Sequence, residues 1–393
     1  MAKKTAKSSI TVAYDAKRAV QNMTGLGNYS RLVIGSMSAL YPDNRYVLMA
    51  PRMRENPRLD PILARGNVET FTPAGTITRH LPAWWRSVEM VHDWPKLGIN
   101  IYHGLSNEIP LTAGLAPCPT VVTIHDLIWR RIPEDYSAID RRLYEFKYRR
   151  SARLATRVIA ISERTKTDMV ADWGISPDKI DVIYQGCDPI FTQPVTTDRR
   201  HRVREQYGLG GRYFLTVGTV QSRKNQLLAV KALDRLPHDV TMVIVGKAEQ
   251  AYKATIQRAI ADARLDTRVK WLENVPFDDL PALYAAAEFS SYTSRYEGFG
   301  IPVLESLSVS TPVIACTGSC LEEAGGEGAV YVGPDDIDGF AEAANRLLAQ
   351  PWFRDKLAEK GRRHAARFTP ASFASAIMTT YNKAILDHSL KDL

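Results

Sequence analysis

A chain of 393 residues, 45% hydrophobic and 24% charged, is long enough for two or three ordinary domains with real cores. No run approaches the length of a bilayer span, and the basic start (Lys3, Lys4, Lys7) is not followed by the apolar segment of a secretory signal. Cys118, Cys187, Cys316 and Cys320 are few and scattered, which argues against a disulfide framework or structural zinc and predicts reduced thiols in the cytoplasm.

The net charge of +8 is uneven: residues 1–190 hold 26 Lys and Arg against 19 Asp and Glu, and the remainder is nearly balanced. The densest cluster is Arg141-Arg142-Leu143-Tyr144-Glu145-Phe146-Lys147-Tyr148-Arg149-Arg150. A solvated helix face is the default reading of such a run, and an anionic membrane surface also fits. Trp84-Trp85-Arg86, read as exposed, favours the membrane, because these side chains suit an interface. No nucleic-acid partner is expected, since no binding motif accompanies the charge.

In chain order, Ile10–Tyr14 reads as a first strand. Gly25-Leu26-Gly27-Asn28-Tyr29-Ser30 follows as a glycine-rich loop, then a helix from about Ser30 to Leu40. The loop lacks one glycine of the dinucleotide fingerprint, and no acidic residue ends the next strand (Arg45–Ala50) to hold a ribose, so a nicotinamide site is a poor fit. Val68–Phe71 and Ile99–His103 are short strands. Thr120–Ile124 is apolar throughout, as a strand buried on both faces should be. It ends at His125-Asp126-Leu127, where open α/β sheets bind ligands, so His125 reads either as a site residue or as a structural histidine. A basic helix over about Ser137–Ala155, a strand at Arg157–Ser162, a helix over Lys166–Trp173 capped by Ser162 and a strand at Asp181–Tyr184 close the first half. Residues 185–204 are polar and turn-rich, a linker.

The second half restarts with a strand at Tyr213–Gly218. It leads through Thr219 to Arg223-Lys224-Asn225 and a helix through Leu233. Two cations where a strand hands over to a helix make a phosphate locus; a solvated pair is the alternative. Strands at Val240–Val245 and Val269–Leu272 alternate with helices. Phe289–Thr293 leads into Glu297-Gly298-Phe299-Gly300-Ile301-Pro302, and Pro302 predicts a helix start with Glu305 in the first turn. Glu297 and Glu305 thus flank a glycine loop and a helix N-terminus. That arrangement suits a diphosphate bearing hydroxyl-rich groups, although acids at a helix start are also common on stability grounds alone. The acidic pairs Asp278-Asp279 and Asp335-Asp336 read as a helix start and a turn, and no metal site is expected. Strands alternating with helices in both halves predict two parallel, helix-covered sheets.

With Glu297 and Glu305 as an E-x7-E element, the chain resembles the retaining glycosyltransferases of the GT-B fold, family 4. The Gly25-Leu26-Gly27 loop, His125-Asp126-Leu127, Ile159-Ala160-Ile161-Ser162-Glu163, Gly218-Thr219 with Arg223-Lys224-Asn225, and Thr311-Pro312-Val313-Ile314 match in the family's order over residues 10–385. The resemblance implies an α/β architecture of two Rossmann-like domains whose parallel sheets face each other across a cleft. Residues 1–190 would form the acceptor side and 205–369 the nucleotide-sugar side, with a last helix, about 370–393, crossing back to the first. It implies that Arg223 and Lys224 hold the donor diphosphate and that Gly298, Phe299 and Gly300 supply backbone contacts. Glu297 would face the sugar, Glu305 the ribose hydroxyls, and Val275 the base. His125 would lie near the reacting carbon, with Gly25 and Gly27 closing over the phosphates. Thr219 departs from the arginine many relatives carry there, and Pro370 stands where relatives often have tryptophan.

The implied activity is metal-independent, cofactor-free sugar transfer with retention. The overall likeness is to bacterial mannosyltransferases of surface-polysaccharide assembly, which implies GDP-mannose as donor. The acceptor would be a glycan or a lipid-linked oligosaccharide, reached from the cytoplasmic face of the inner membrane. UDP-sugars are the alternative donors. A GT-B nucleotide-sugar epimerase and a non-catalytic sugar-nucleotide binding protein are the rival functions.

Overall fold

The computed structural model describes residues 9–75 and 80–390. The chain divides into two compact units, the first taking Met1–Leu127, Ser137–Gln185 and Thr369–Leu393, the second Ile128–Tyr136 and Gly186–Phe368.

Among the described residues the first unit holds seven strands: β1 Thr11–Asp15, β2 Arg45–Met49, β3 Val68–Phe71, β4 Ile101–Gly104, β5 Thr120–Ile124, β6 Arg157–Ala160 and β7 Ile180–Val182. They pair in parallel in the order β3-β2-β1-β4-β5-β6-β7. The order reverses between β1 and β4, the kind of switch point beyond whose strand ends open α/β sheets take ligands. The predicted cap at Ser162 is in place, and Ser137 supplies a second. Ser137 accepts from Asp140 N–H at the head of the helix Ala138–Leu154, and Ser162 accepts from Thr165 N–H at the head of Glu163–Trp173.

One expectation fails at Gly25-Leu26-Gly27. These residues are not a loop but the first turn of a helix running Gly25–Leu40, and a short helix, Lys17–Gln21, fills the stretch before it. Asn22 explains the early start: its Oδ1 accepts from Thr24 N–H (2.8 Å) and Gly27 N–H (3.3 Å), satisfying donors a helix start leaves open. Gly27 is needed for close approach, since a Cβ there would lie 1.8 Å from Asn22 O.

The last helix, Pro370–Ser389, belongs to the first unit. Pro370 fits its place: it opens the helix behind Thr369, whose side chain accepts from Ser372 N–H in a capping box. Asp181 on β7 receives Thr380 Oγ1 (3.0 Å) and Lys383 Nζ (2.7 Å) from this helix. Deeper in, Tyr381 Oη lies 2.8 Å from His103 Nδ1 and donates to Tyr14 Oη (3.3 Å). His103 Nε2 meets Thr123 Oγ1 (2.8 Å), and that hydroxyl also meets Tyr29 Oη (3.0 Å). Burial lowers the His103 pKa to about 3, so the ring is neutral and one nitrogen must accept. Tyr381→Phe strands the His103 Nδ1 position without a partner, and chemical denaturation should show a loss of about 1–3 kcal/mol; an unchanged midpoint would mean that the chain of hydroxyls does not hold the helix.

The second unit holds, among the described residues, β8 Arg212–Val217, β9 Val240–Val245, β10 Val269–Leu272, β11 Phe289–Tyr292, β12 Val313–Cys316 and β13 Ala329–Val332. The parallel order is β10-β9-β8-β11-β12-β13, reversing between β8 and β11. Its core packs Phe214, Leu233, Met242, Ile244, Phe289 and Phe340. The polar stretch read as a linker contains the helix Thr197–Gln206, headed by Thr196 accepting from Arg199 N–H. Residues 128–136 sit in this unit, with Ile128 and Ile132 against Tyr296. The four cysteines are free and buried, and no helix among the described residues is long and apolar enough to cross a membrane.

Candidate active site

Two loops leave the second sheet at its order reversal, one after β8 and one after β11. The first turns at Gly218 (φ +135°), against Gly246 (φ +148°) at the end of β9; a Cβ on Gly246 would lie 2.1 Å from Gly218 O, so only glycine allows this approach. The chain then makes a short turn, Ser222–Lys224, and Asn225 in the left-handed region (φ 54°) starts the helix Gln226–Leu233. The second loop is stitched to the first: Arg295 N–H donates to Arg223 O (2.9 Å) and Thr293 Oγ1 to Asn225 O (2.9 Å).

This stitching brings Arg223, Lys224 and Glu297 together. Glu297 Oε1 lies 2.8 Å from Arg223 Nη1 and 2.5 Å from Lys224 Nζ. It also accepts from Ser294 Oγ (2.6 Å) and Tyr292 Oη (3.2 Å). Arg223 and Glu297 are buried, and Lys224 is half-buried, with 14% of its side chain exposed. Burial pulls the Glu297 carboxyl upward, but Lys224 and Arg223 outweigh it and hold it down at about 2. Burial lowers the Lys224 ammonium, and Glu297 opposes that shift. Within this triad two cations face one carboxylate, and the charge of Arg223 also acts on Asp135.

From Glu297 the chain passes Gly298, Phe299 and Gly300, all buried. Cys320 Sγ lies 3.1 Å from Glu297 O and 3.0 Å from Phe299 O. Gly300 has φ +120° and a Cβ there would meet Leu321 Cδ2 at 2.8 Å; it caps the helix Ile301–Ser308. Pro302 has no N–H, and Val303 N–H is closed on Gly300 O (3.0 Å). The donors this helix end can offer an anion therefore lie upstream, in Gly298 to Ile301. Glu305 lies beyond the first turn, a correction to its expected place. It is buried with Tyr284 Oη donating to Oε2 (3.3 Å), and burial raises its carboxyl to about 7. The two glutamates thus sit at opposite ends of the carboxyl range, one permanently charged and one poised near neutrality.

Thr219 is exposed just past Gly218, its carbonyl accepting from Gln226 Nε2 (3.1 Å). Val275 is half-buried in the loop after β10, next to Asn274 in the left-handed region. Tyr292, Ser294 and Tyr284 are the residues sequence reasoning missed. Tyr292 and Ser294 stand five and three positions before Glu297, a short polar run that could have marked them. Among the described residues no group of three His, Cys, Asp or Glu side chains gathers to hold a metal.

The first unit holds His125 just beyond β5. Its N–H donates to Asn107 Oδ1 (2.7 Å), and its Nε2 lies 2.9 Å from Leu105 O. A carbonyl only accepts, so the proton is on Nε2. Burial lowers the ring's pKa to about 4, and the edge of Tyr29 meets it at 4.6 Å. His125 is therefore a neutral imidazole, held in one tautomer. Gly25, at the exposed head of its helix, has nothing within 4 Å of a built Cβ, unlike Gly27.

The expected interface triad Trp84-Trp85-Arg86 does not form. Trp84 is 50% exposed, but Trp85 is buried against Phe71, with Nε1 donating to Asp93 Oδ2 (3.1 Å). Arg86 is taken by Asp15 (2.5 Å) and Glu108 (2.9 Å). These partners, distant in sequence, turn both side chains inward.

Comparison with known proteins agrees with this layout. Residues 43–191 match the family described as Glycosyltransferase Family 4, and residues 198–364 match Glycosyl transferases group 1. The MMP alpha-(1->4)-mannosyltransferase of Mycolicibacterium hassiacum is 29% identical over 76% of this chain and 71% of its own. The O-antigen chain mannosyltransferase B of Escherichia coli is 26% identical over 72% and 74%. Among solved structures, Anabaena HepE in complex with UDP superposes with a TM-score of 0.75 at 21% identity, covering 96% of this chain and 100% of that one. With one family match on each half and sugar transferases along most of its length, the chain belongs to the GT-B glycosyltransferases of family 4.

Proposed function

We propose that the chain transfers a hexose from a nucleoside diphosphate donor to a glycan or lipid-linked glycan acceptor, with retention at the anomeric carbon, and that the donor is GDP-mannose. The observation that carries this reading is the pair Arg223 and Lys224, set at the order reversal of the second sheet beside Glu297 and the glycine loop. That is a pair of fixed cations in a water-poor place, the kind of preorganised electrostatics a leaving diphosphate needs. The two mannosyltransferases above support mannose; the UDP seen with HepE supports UDP-sugars as the second reading.

In the proposed step the bond from the anomeric carbon to the phosphate oxygen breaks, and its electron pair leaves on the diphosphate. Arg223, Lys224 and N–H groups of Gly298 to Ile301 would take up that charge, so the residues replace a metal. The acceptor oxygen bonds to the same face of the carbon, and its proton passes to a phosphate oxygen. Glu297, charged at any working pH, would accept from sugar hydroxyls and stabilise positive charge on the ring. His125, neutral with its proton on Nε2, would offer Nδ1 as an acceptor. Glu305 would accept from the ribose, Val275 would meet the base, and Thr219, Gly25 and Gly27 would border the phosphates.

A thermal-shift panel of GDP, UDP, ADP and dTDP separates the donors, since a ligand of the native state raises stability by mass action. GDP should give the largest shift, and a larger UDP shift overturns the GDP reading. Incubation with GDP-mannose alone should return no epimer, and turnover should persist in EDTA. Glu305 adds a pH test. If its carboxylate is the ribose acceptor, GDP should bind about tenfold tighter at pH 8 than at pH 6, because the group ionises near 7. Glu305→Gln should flatten that dependence; an unchanged slope removes the role.

A further inference from the structure

The helix Ala138–Leu154 presents its apolar side chains to water. Its buried side is narrow, Tyr148, Ser151 and Ala152. On the opposite face, at the i, i+4 and i+7 spacing of one stripe, stand Ile139, Leu143 and Phe146, exposed by 79%, 43% and 58%. Arg142, Arg150 and Arg153 are exposed along the same stripe. The helix's acids are engaged elsewhere: Asp140 receives Ser137 Oγ (2.7 Å), and Glu145 lies 3.7 Å from Arg149. The turn 111–115 lies against this helix: Arg150 Nη2 donates to Leu111 O (3.1 Å), a Cβ on Gly114 would lie 3.6 Å from Leu154, and Leu115, next in the chain, is 78% exposed.

We propose that this face docks on an anionic bilayer, with Ile139, Leu143, Phe146 and Leu115 entering the headgroup boundary and the arginines reaching lipid phosphates. Three observations favour a bilayer over a protein partner. Arginines are interspersed along the apolar stripe, so a second copy meeting it face to face would set arginine against arginine. Arginine stems can lie along apolar surface while their heads stay with phosphates. At 17 residues the helix is about 25 Å long and too charged to cross a membrane, so it would lie in the interface plane. The surface differs from the tryptophan site expected from sequence, and it does not depend on which sugar nucleotide the second unit takes.

The test is co-sedimentation of the full chain with vesicles. Binding is expected to phosphatidylglycerol-rich vesicles and not to phosphatidylcholine alone, weakening as salt screens the charges. Arg142→Gln and Arg150→Gln should each weaken partitioning about fivefold. Ile139→Ser with Phe146→Ser should abolish it at low salt with an unchanged circular dichroism melt, since both side chains are exposed. No binding to the anionic vesicles at low salt overturns the proposal, as does equal binding by the double variant. A concentration-dependent dimer that the double variant abolishes also overturns it, by assigning the face to a second copy.

Discussion

Lys224→Ala is expected to lower turnover by about 10²–10³-fold while leaving the chain folded. The magnitude is that of removing one preorganised charge partner from a developing anion in a water-poor site. Lys224 has only 14% of its side chain exposed, and its Nζ lies 2.5 Å from both Tyr292 Oη and Glu297 Oε1, so no mobile surface lysine substitutes for it. Folding should survive because Glu297 keeps Arg223, Ser294 and Tyr292. Single-turnover rates and GDP binding divide the effect: a loss in rate larger than the loss in affinity places Lys224 on the departing diphosphate. Near-normal turnover in a folded variant would remove the phosphate role from this cluster.

Glu297→Ala should do something different, costing about 3–5 kcal/mol of stability, because it leaves two largely buried cations facing each other without their counter-charge. The dependence on pH follows from linkage. The Glu297 carboxyl ionises at about 2 in the folded chain against an ordinary 4.5. Its stabilisation is therefore complete above about 4.5 and is lost as pH falls toward 2. The variant should melt well below the unaltered chain at pH 7, and the gap should close in acid. Lys224→Met in the Glu297→Ala background should recover part of the loss, since it removes one of the stranded charges. Equal melting at pH 7 would mean that the ion pairs are too well hydrated to matter.

Most strands were legible from sequence because strands buried on both faces read as continuous apolar runs; Thr120–Ile124 and Val240–Val245 need no partner to be identified. The charged residues of the site were legible as well, since Arg223-Lys224 and Glu297 each stand where a strand hands over to a loop. What stayed hidden depends on distant contacts. Nothing near Arg86 announces Asp15 or Glu108, and composition alone made Trp85 look like a surface residue. The early start of the helix at Gly25 turns on Asn22, whose capping signal was masked by the stronger glycine pattern beside it. The helix Thr197–Gln206 buries little beyond Val203, so its sequence lacks the apolar period that marks a helix. The distinct ionisation of Glu297 and Glu305 could not be read at all, because it is set by which charges surround each one after folding.

The helix Pro370–Ser389 has a consequence for how the protein is made. Tyr381 completes a hydroxyl chain that begins on β1 and β4, yet a ribosome adds it only after the whole of Gly186–Phe368 has emerged. The second unit can thus fold while the first is still missing its closing piece, reversing the usual order in which the earlier domain matures first. During that interval the side of Gly25–Leu40 where Tyr29 will receive Phe373 waits uncovered. A premature stop near residue 370 would accordingly injure the end of the protein that was synthesised first.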